Sequence, residues 1–503
     1  MAENYIHEVH NDFSGGVNQA VGGLVKSDNE LDWLENGELR SVGPVDKVRG
    51  FKQRGDVVNT NYSVLGLASA YKSDGTMKQI AIADGASNSD AYTYNPQNGD
   101  WTPHGLSLST GAKAEFEYFL DGFFMVNYED ATRWNDLTQW YTTTNVTNAA
   151  KAKYIKLYLS RIYLGYVVSG GTTYPSRVTY SDLPSGTPMT ITWNDAENYF
   201  DVDPDDGDVI KGLSANANRL LIFKENSLYR YDTNTLYKVP GCPGTVANRS
   251  IQEVQGWTFY FHSSGIWGYD GTTSQLISRK IIDLIEGIST KNFDDVCAWS
   301  NSDHYYLFVG NVVNTSKDIE IDNCLIDYDV AKNSFSWRSL SKAPTVFTTY
   351  RDDRSNITYN DATVTYNDAD VAYNGLISSE NRMYFGDTTG HVYHFNVDNQ
   401  ADGSDIQFTM ETKDYYLGNP SIYKLLKKLA VFCDGGRHVT IQYKLDDDNW
   451  KTLGRLKESV TILEFPTATR CRKVKFRVLE SSGGDPFSFE GFDIYFEPEG
   501  LID

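Results

Sequence analysis

The sequence predicts an all-β chain: an irregular β-propeller with an extended N-terminal arm and a C-terminal antiparallel β-sandwich. Three observations predict it. The first is a recurring strand–turn–strand unit. Arg219–Asp232 reads RLLIFKENSLYRYD, an apolar run, a polar turn at Lys224–Ser227 and a second run closing on Tyr-Asp. Gly256–Asp270 repeats the design as GWTFYFHSSGIWGYD, with its turn at His262–Gly265. Short β-rich runs around Gly, Asn and Ser turns read as hairpins. The second is composition: 14% of residues are aromatic, 34 of them Tyr and 10 Trp, and such side chains suit a pleated, half-buried surface. The third is that helical periodicity is nearly absent. The best helix candidates are short, Asn29–Asn36 and Arg279–Ile288.

The unit recurs loosely elsewhere. It is seen in QIAIADG with AYTYNPQNGDW (77–101), in GFFMVNYEDATRWNDLTQW (121–140) and in IYLGYVV with RVTYSD (161–193). It returns in YYLFVG with CLIDYDVAKNSFSW (304–337) and in RMYFGDTTGHVYHFN (382–396). That is about seven hairpin pairs, several of them tens of residues apart, as in propeller blades of about four strands each. The expected organisation is an arm over 1–55, a propeller over 56–400 with an insertion near 351–378, and a sandwich over 401–503.

Charge and cysteines set outer limits. A net charge of −22 disfavours a protein that coats DNA, which needs clustered Lys and Arg. An acidic surface serves solubility, or lines a conduit through which DNA slides without adhering. The five cysteines (Cys242, Cys297, Cys324, Cys433, Cys471) are odd in number and widely spaced, without a CxxC. They read as free buried thiols in a protein folded in a reducing cytosol rather than as a zinc site or disulfide framework. The N-terminal MAENYIHEVHND lacks the apolar core of a signal peptide. No apolar run approaches the ~18 residues of a membrane span.

Residues 1–55 differ from the hairpin region. They hold DFSGGVN (12–18), then SDNELDWLENGELRSVGPVDKVRGF. Gly15-Gly16 and Gly22-Gly23 mark irregular backbone, and Gly43-Pro44 a turn. Ser27-Asp28 with Glu30 gives a weak helix N-cap signal. The segment reads as an arm that packs on the body or reaches a neighbour.

In order along the chain, DFSGGVN, DNE and VRGF are followed by GDVIKGLSANANRLLIFKENSLYRYD, then by GCPGTVANRSIQEVQGWTFYFHSSGIWGYDG with ISRKI at 277–281. They end with ETKDYYLGNPSIYKLLKKLAVFCDGG, YKLDDDNWKTLG and VKFRV. This succession resembles the tail nozzle and tail tubular β-propeller proteins of short-tailed bacteriophages, including their hub or stabilisation proteins. The resemblance implies a structural virion protein of the tail, assembled in the host cytoplasm. It implies a homo-oligomeric ring, hexameric by preference, around the DNA channel, supporting DNA retention and ejection. Its implied partners are a portal-side adaptor, tail fibres or spikes, and phage DNA in transient passage without specific binding.

DVDPDDGD (201–208) has the alternating carboxylates of a calcium loop. Counted from Asp201, positions six and twelve fall on Asp206 and Gly212 instead of Gly and Glu; counted from Asp203, the Gly falls at position five. A solvated turn is the plainer reading. Asp294, Asp295 and His304 lie in one region without a third partner at metal or triad spacing, so His304 reads as a surface or packed histidine. His391 and His394 at i,i+3 point to opposite faces of a strand. No GxSxG, HExxH or P-loop occurs, and no catalytic residue, metal site or cofactor is expected.

The subunit-contact candidates are three. Phe13, Gly15, Gly16 and Asn18 belong to the arm. Tyr359, Tyr366 and Tyr373, seven residues apart in TYNDATVTYNDADVAYN, form a Tyr-studded insertion whose Asn-Asp turns exclude a coiled coil. Tyr is favoured in interfaces, though an ordered loop is the plainer reading. Arg470, Arg472 and Lys473, with Lys424, Lys427, Lys428, Lys475 and Arg477, concentrate positive charge on the C-terminal strands, to dock an acidic neighbour or simply as solvated faces. The alternative function is a glycan-binding or glycan-hydrolysing propeller with the sandwich as carbohydrate module. A host-contacting adhesin built on the Tyr repeat is a third reading.

Overall fold

The structure, a computed structural model, describes residues 5–39, 43–96, 98–194, 196–216, 219–232, 234–351, 381–435, 438–446, 448–481 and 485–499. The chain is all-β and its larger part is a β-propeller. Six blades are separate four-stranded antiparallel sheets. Five are consecutive meanders at 64–103, 115–141, 151–201, 210–238 and 252–276; the sixth joins 344–351, 381–387 and 392–395 to strand Phe51–Gln53 from the N-terminal segment. A further four-stranded meander, 297–339, completes the circle but runs sideways into a ten-stranded sheet.

Local sequence explains the blades. Arg219–Lys224 (RLLIFK) is buried from its second residue onward, because both of its faces meet neighbouring blades. The circle closes through the innermost strands. Thr345 Oγ1 donates to the Val64 carbonyl at 2.5 Å, and the Ala114 N–H donates to Leu65 O at 3.2 Å. Gln252 Nε2 donates to Ala298 O at 3.1 Å, and Trp299 Nε1 to Thr349 Oγ1 at 2.8 Å. The outer rim closes when Phe51, Lys52 and Gln53 pair with Phe395, His394 and Tyr393. Phe51 is 1% exposed and meets Phe385 and Tyr393 edge-on at 5.2 Å.

Beyond the blades two sheets face each other. One holds Lys424–Gly435, Phe487–Pro498, Val460–Glu464 and Arg470–Cys471 with N-terminal strands Ile6–His10, Gly37–Leu39 and Val45–Lys47. The other is the far end of the ten-stranded sheet: Glu30–Glu35, Phe408–Thr412, Val474–Glu480, Thr440–Leu445 and Lys451–Arg455. Val474–Glu480 (VKFRVLE) alternates strictly buried and half-buried, so Val474, Phe476 and Val478 point inward, and Phe476 meets Phe492 of the facing sheet at 5.2 Å. The same alternation drives Glu480 inward, where Lys47 pairs with it. A buried carboxylate needs such a partner.

One expectation is overturned. The Asn29–Asn36 helix is a strand, Glu30–Glu35. Its cap signal is real but local: Glu30 Oε2 accepts the Ser27 N–H at 3.2 Å and the Glu30 N–H returns to Ser27 O at 3.1 Å. Pairing with Thr409–Thr412 and a parallel bridge from Glu35 to Trp337 then outweigh helix propensity. The other candidate is helical, a 3₁₀ turn Ser278–Ile281 leading into the α-helix Ile282–Glu286. The N-terminal segment supplies strands to the body's sheets, Ile6–His10, Gly16–Val17, Glu30–Glu35, Gly37–Leu39, Val45–Lys47 and Phe51–Gln53. All five cysteines are buried and free. Among the described residues no helix is long and apolar enough to cross a membrane, and no three His, Cys, Asp or Glu side chains group to hold a metal.

Candidate functional site at the propeller axis and its seam

The innermost strands bring charged side chains to the axis. Arg249 lies in the 3₁₀ turn Asn248–Ser250 that enters the fifth blade. Its Nε donates to Glu115 Oε1 at 2.9 Å, its Nη1 to Thr345 O at 3.0 Å, and its Nη2 to Leu65 O at 2.7 Å and Ala114 O at 2.8 Å. One guanidinium therefore ties the fifth blade to the first, the second and the last across the bore. Lys113 bridges in the same sense to the Asp294 carbonyl and to Asp295 at 2.8 Å.

The acids around the axis are engaged or crowded. Glu117 lies 3.2 Å from Lys156 Nζ; burial pushes its carboxyl up and Lys156 opposes the shift. Glu253 keeps solvent contact, yet surrounding protein still raises its carboxyl, again against Lys156. Burial raises the Tyr154 hydroxyl as well. Hydrolysis by two carboxylates requires one free base or nucleophile beside one acid. Here Glu115 is held by Arg249 and Glu117 by Lys156, an arrangement built to fasten blades.

A second cluster marks the seam between propeller and facing sheets. In the hairpin His304–Asn314 with Ile319–Asp329, register sets His304 opposite Asp329 and Tyr306 opposite Asp327. His304 Nδ1 lies 2.7 Å from Asp327 Oδ1 and Nε2 lies 3.8 Å from Asp329 Oδ2. Burial alone would lower the imidazole, but Asp327, its hydrogen bond, Asp329 and Glu38 outweigh burial and raise it. Arg338 stands 3.8 Å from Asp327 and 3.9 Å from Glu38. His304 is a packed histidine, and its acidic partners lie across the hairpin, more than twenty positions away. Two β-rich runs of eleven residues each, on either side of the turn at 315–318, were the signal.

The calcium-like loop carries its own cation. Lys224 Nζ, fully buried, donates to Asp206 Oδ1 at 2.6 Å, Asp203 O at 2.8 Å and Asp208 O at 3.3 Å. Burial pushes the Asp206 carboxyl up, but Lys224 and the Asp208 N–H outweigh it and lower it. His391 pairs with Asp387 at 3.9 Å, whereas His394 stacks on Tyr384 at 4.7 Å, so the two do not converge.

The contact candidates fall as follows. Phe13 has no exposed surface and meets Phe489 and Phe492 at 5.8 and 6.3 Å. The Gly15 N–H donates to Asn29 O at 3.0 Å. Gly16 adopts φ +63° with a Cβ position 2.8 Å from Ser334 Cβ, so a side chain there would be strained and crowded. Asn18 donates to both Glu30 oxygens at 3.0 Å. These four residues are engaged within their own chain. The basic strands are largely neutralised: Arg470 meets Glu499 at 2.9 Å, Lys473 meets Asp414 at 3.1 Å, and Lys475 meets Glu411 and Asp32 at 2.6 and 2.8 Å. Arg472 lies over the Tyr423 ring at 4.8 Å. Tyr359, Tyr366 and Tyr373 lie outside the described residues.

No protein-family model matches the chain, and no curated protein matches it. Solved propellers do. BamB from Moraxella catarrhalis is 11% identical over 72% of this chain and 94% of its own, with a TM-score of 0.38. YCF48 bound to D1 peptide is 7% identical over 70% of this chain and 98% of its own, at TM-score 0.38. The Neurospora crassa Pan2 WD40 domain is 6% identical over 70% of this chain and 97% of its own, again at 0.38. The propeller assignment rests on the blades themselves.

Proposed function

We propose that this chain is a structural protein of a short-tailed phage tail, one copy of a ring that surrounds the DNA path between portal-side adaptor and distal tail. The observation that carries the reading is the ordered set of sequence motifs. Their positions support a scaffolding role: the segment around DFSGGVN is stitched into the junction, and Phe51 of VRGF, with Lys52 and Gln53, closes the last blade. The bonds of Arg249 and Lys113 cross the bore of the propeller. That supports a DNA path in the space enclosed by several copies rather than through a single bore. A chain of net charge −22 facing that space would repel phosphate and limit adhesion.

Immunogold labelling of phage particles with an antibody against this chain tests the reading. Label on the tail is the expected result; unlabelled particles beside a soluble monomer would overturn it. Deleting 356–375 separates an adhesin from an internal tail role, since an adhesin variant assembles but fails to adsorb. The glycan-hydrolase alternative finds no free pair in Glu115 and Glu117, whose carboxylates are each held by a cation.

A further inference from the structure

A cleft of about 410 Å³ opens between the blade at 252–276 and the meander at 297–339. Its volume lies within the range of small-ligand sites. Phe259 and Tyr328 form its floor, their rings 5.5 Å apart and edge-on. Trp257 forms one wall. Its indole lies nearly parallel to Phe259, at 14° and 6.2 Å. Both rings lie against Gly268: a Cβ there would come 2.9 Å from Phe259 and 3.2 Å from Trp257. Glycine thus leaves the space over the sheet to the two rings, and the half-buried Trp257 lines the cleft.

The rim is cationic and amide-bearing. Arg279 is exposed and makes no ion pair among the described residues. Lys280 beside it is held by Glu30 at 3.3 Å and the Asn333 carbonyl at 3.2 Å. Gln275 and Asn333 are exposed. None of the lining side chains is acidic, in a protein of net charge −22.

We propose that this cleft binds a carboxylate-bearing sugar unit, a uronic-acid residue of an acidic polysaccharide. The chemistry is specific. A flat indole offers its π face to the C–H face of a pyranose ring. Arg279 supplies a two-pronged donor for the carboxylate, and the amides of Gln275 and Asn333 reach ring hydroxyls. The cleft selects anionic over neutral sugars because its charge contrasts with the rest of the surface. A peptide occupant fits less well. The adjoining edge strand, Ser274–Leu276, is three residues long, a short run for strand addition. The proposal is independent of the tail reading and can fail without it.

The test is calorimetric titration of the full chain with a short oligogalacturonate, a dextran oligomer of equal length and a poly-glutamate peptide. Oligogalacturonate is expected to bind and dextran not. Arg279→Glu, at an exposed position, is expected to weaken binding roughly ten- to hundredfold with unchanged melting temperature, the loss of a charge-assisted pair. Gln275→Ala is expected to weaken it by a smaller factor. No oligogalacturonate binding, equal dextran binding, indifference to Arg279→Glu, or poly-glutamate binding as tightly would each overturn the proposal; the last would make the cleft a dock for acidic peptide. Free galacturonate distinguishes a monomer site, where it binds as well as the oligomer, from a polymer site, where it binds at least tenfold more weakly.

Discussion

Arg249 at the propeller axis and Arg338 at the seam are both withdrawn from water, yet their nitrogens are used differently. Arg249 makes bonds of 2.7 to 3.0 Å to three carbonyls and a carboxylate. Arg338 is 1% exposed, and its shortest polar contacts are 3.5 Å, to Arg49 O and Asn396 Oδ1. Among the described residues its Nε and Nη2 have no hydrogen-bond partner. It is surrounded instead by charge at 3.8 to 3.9 Å and by the ring of Phe395 at 5.0 Å. A buried ion is stabilising only when its hydrogen bonds offset desolvation. The axis therefore behaves as a fastener, and the seam as a charged contact close to break-even.

The largest effect is expected from Arg249→Ala. Four acceptors on three blades lose their donor and Glu115 loses its cation, so a loss of about 3–5 kcal/mol is expected in urea unfolding. Arg249→Lys should recover little, because one ammonium cannot reach carbonyls on three blades. A loss under about 1 kcal/mol for Arg249→Ala would mean that the circle closes without it.

Next comes Lys224→Ala, expected to cost about 3 kcal/mol by leaving Asp206 and two carbonyls facing an emptied position. Added calcium should recover part of the lost melting temperature in the variant and leave the wild type unchanged. Equal calcium response in both chains would show that Lys224 does not occupy the cation position.

A pH scan separates two histidines. Burial lowers His10 to about 4, its ring 4.1 Å from Tyr415. The neutral form is favoured in the fold, so its contribution is present above the ordinary histidine value of about 6.5 and is lost as pH falls toward 4. The loss is on the order of 3 kcal/mol and should vanish in His10→Phe. His304 is raised, so its contribution is full below about 6.5 and fades as pH climbs through its folded value. His304→Gln should flatten the neutral-to-alkaline limb of the stability curve and leave the acid limb in place.

These junctions show what the sequence could and could not carry. Blades were legible because alternation and turn chemistry are local: RLLIF–KENS–LYRYD folds as its own pattern dictates. The axis was not. Leu65, Glu115, Arg249 and Thr345 are far apart in the chain, and only closure of the circle makes them neighbours. Phe51–Gln53 likewise joins Tyr393–Phe395 by a pairing no local rule specifies. At Glu30–Glu35 local and global preferences conflict; Ser27 and Glu30 write a helix cap, and strand pairing overrides it. The basic C-terminal strands were visible as charge, but the acids that answer them, Asp32, Glu411 and Glu499, arrive from elsewhere.

The smallest expected change is the most informative about the seam. Arg338→Met keeps the length of the buried stem and removes a guanidinium whose Nε and Nη2 make no hydrogen bond among the described residues. Asp327 keeps His304 at 2.7 Å, and Glu38, with 40% of its side chain exposed, can turn to water. Stability near neutral pH should stay within about 1 kcal/mol of wild type, or rise. A loss above about 3 kcal/mol would reverse the comparison and make Arg338 a fastener like Arg249. Removing the guanidinium should also leave the Asp327 carboxylate to His304 alone, lifting the imidazole further. The neutral-to-alkaline decline in stability should then move to higher pH in Arg338→Met, a shift that a change in packing alone would not produce.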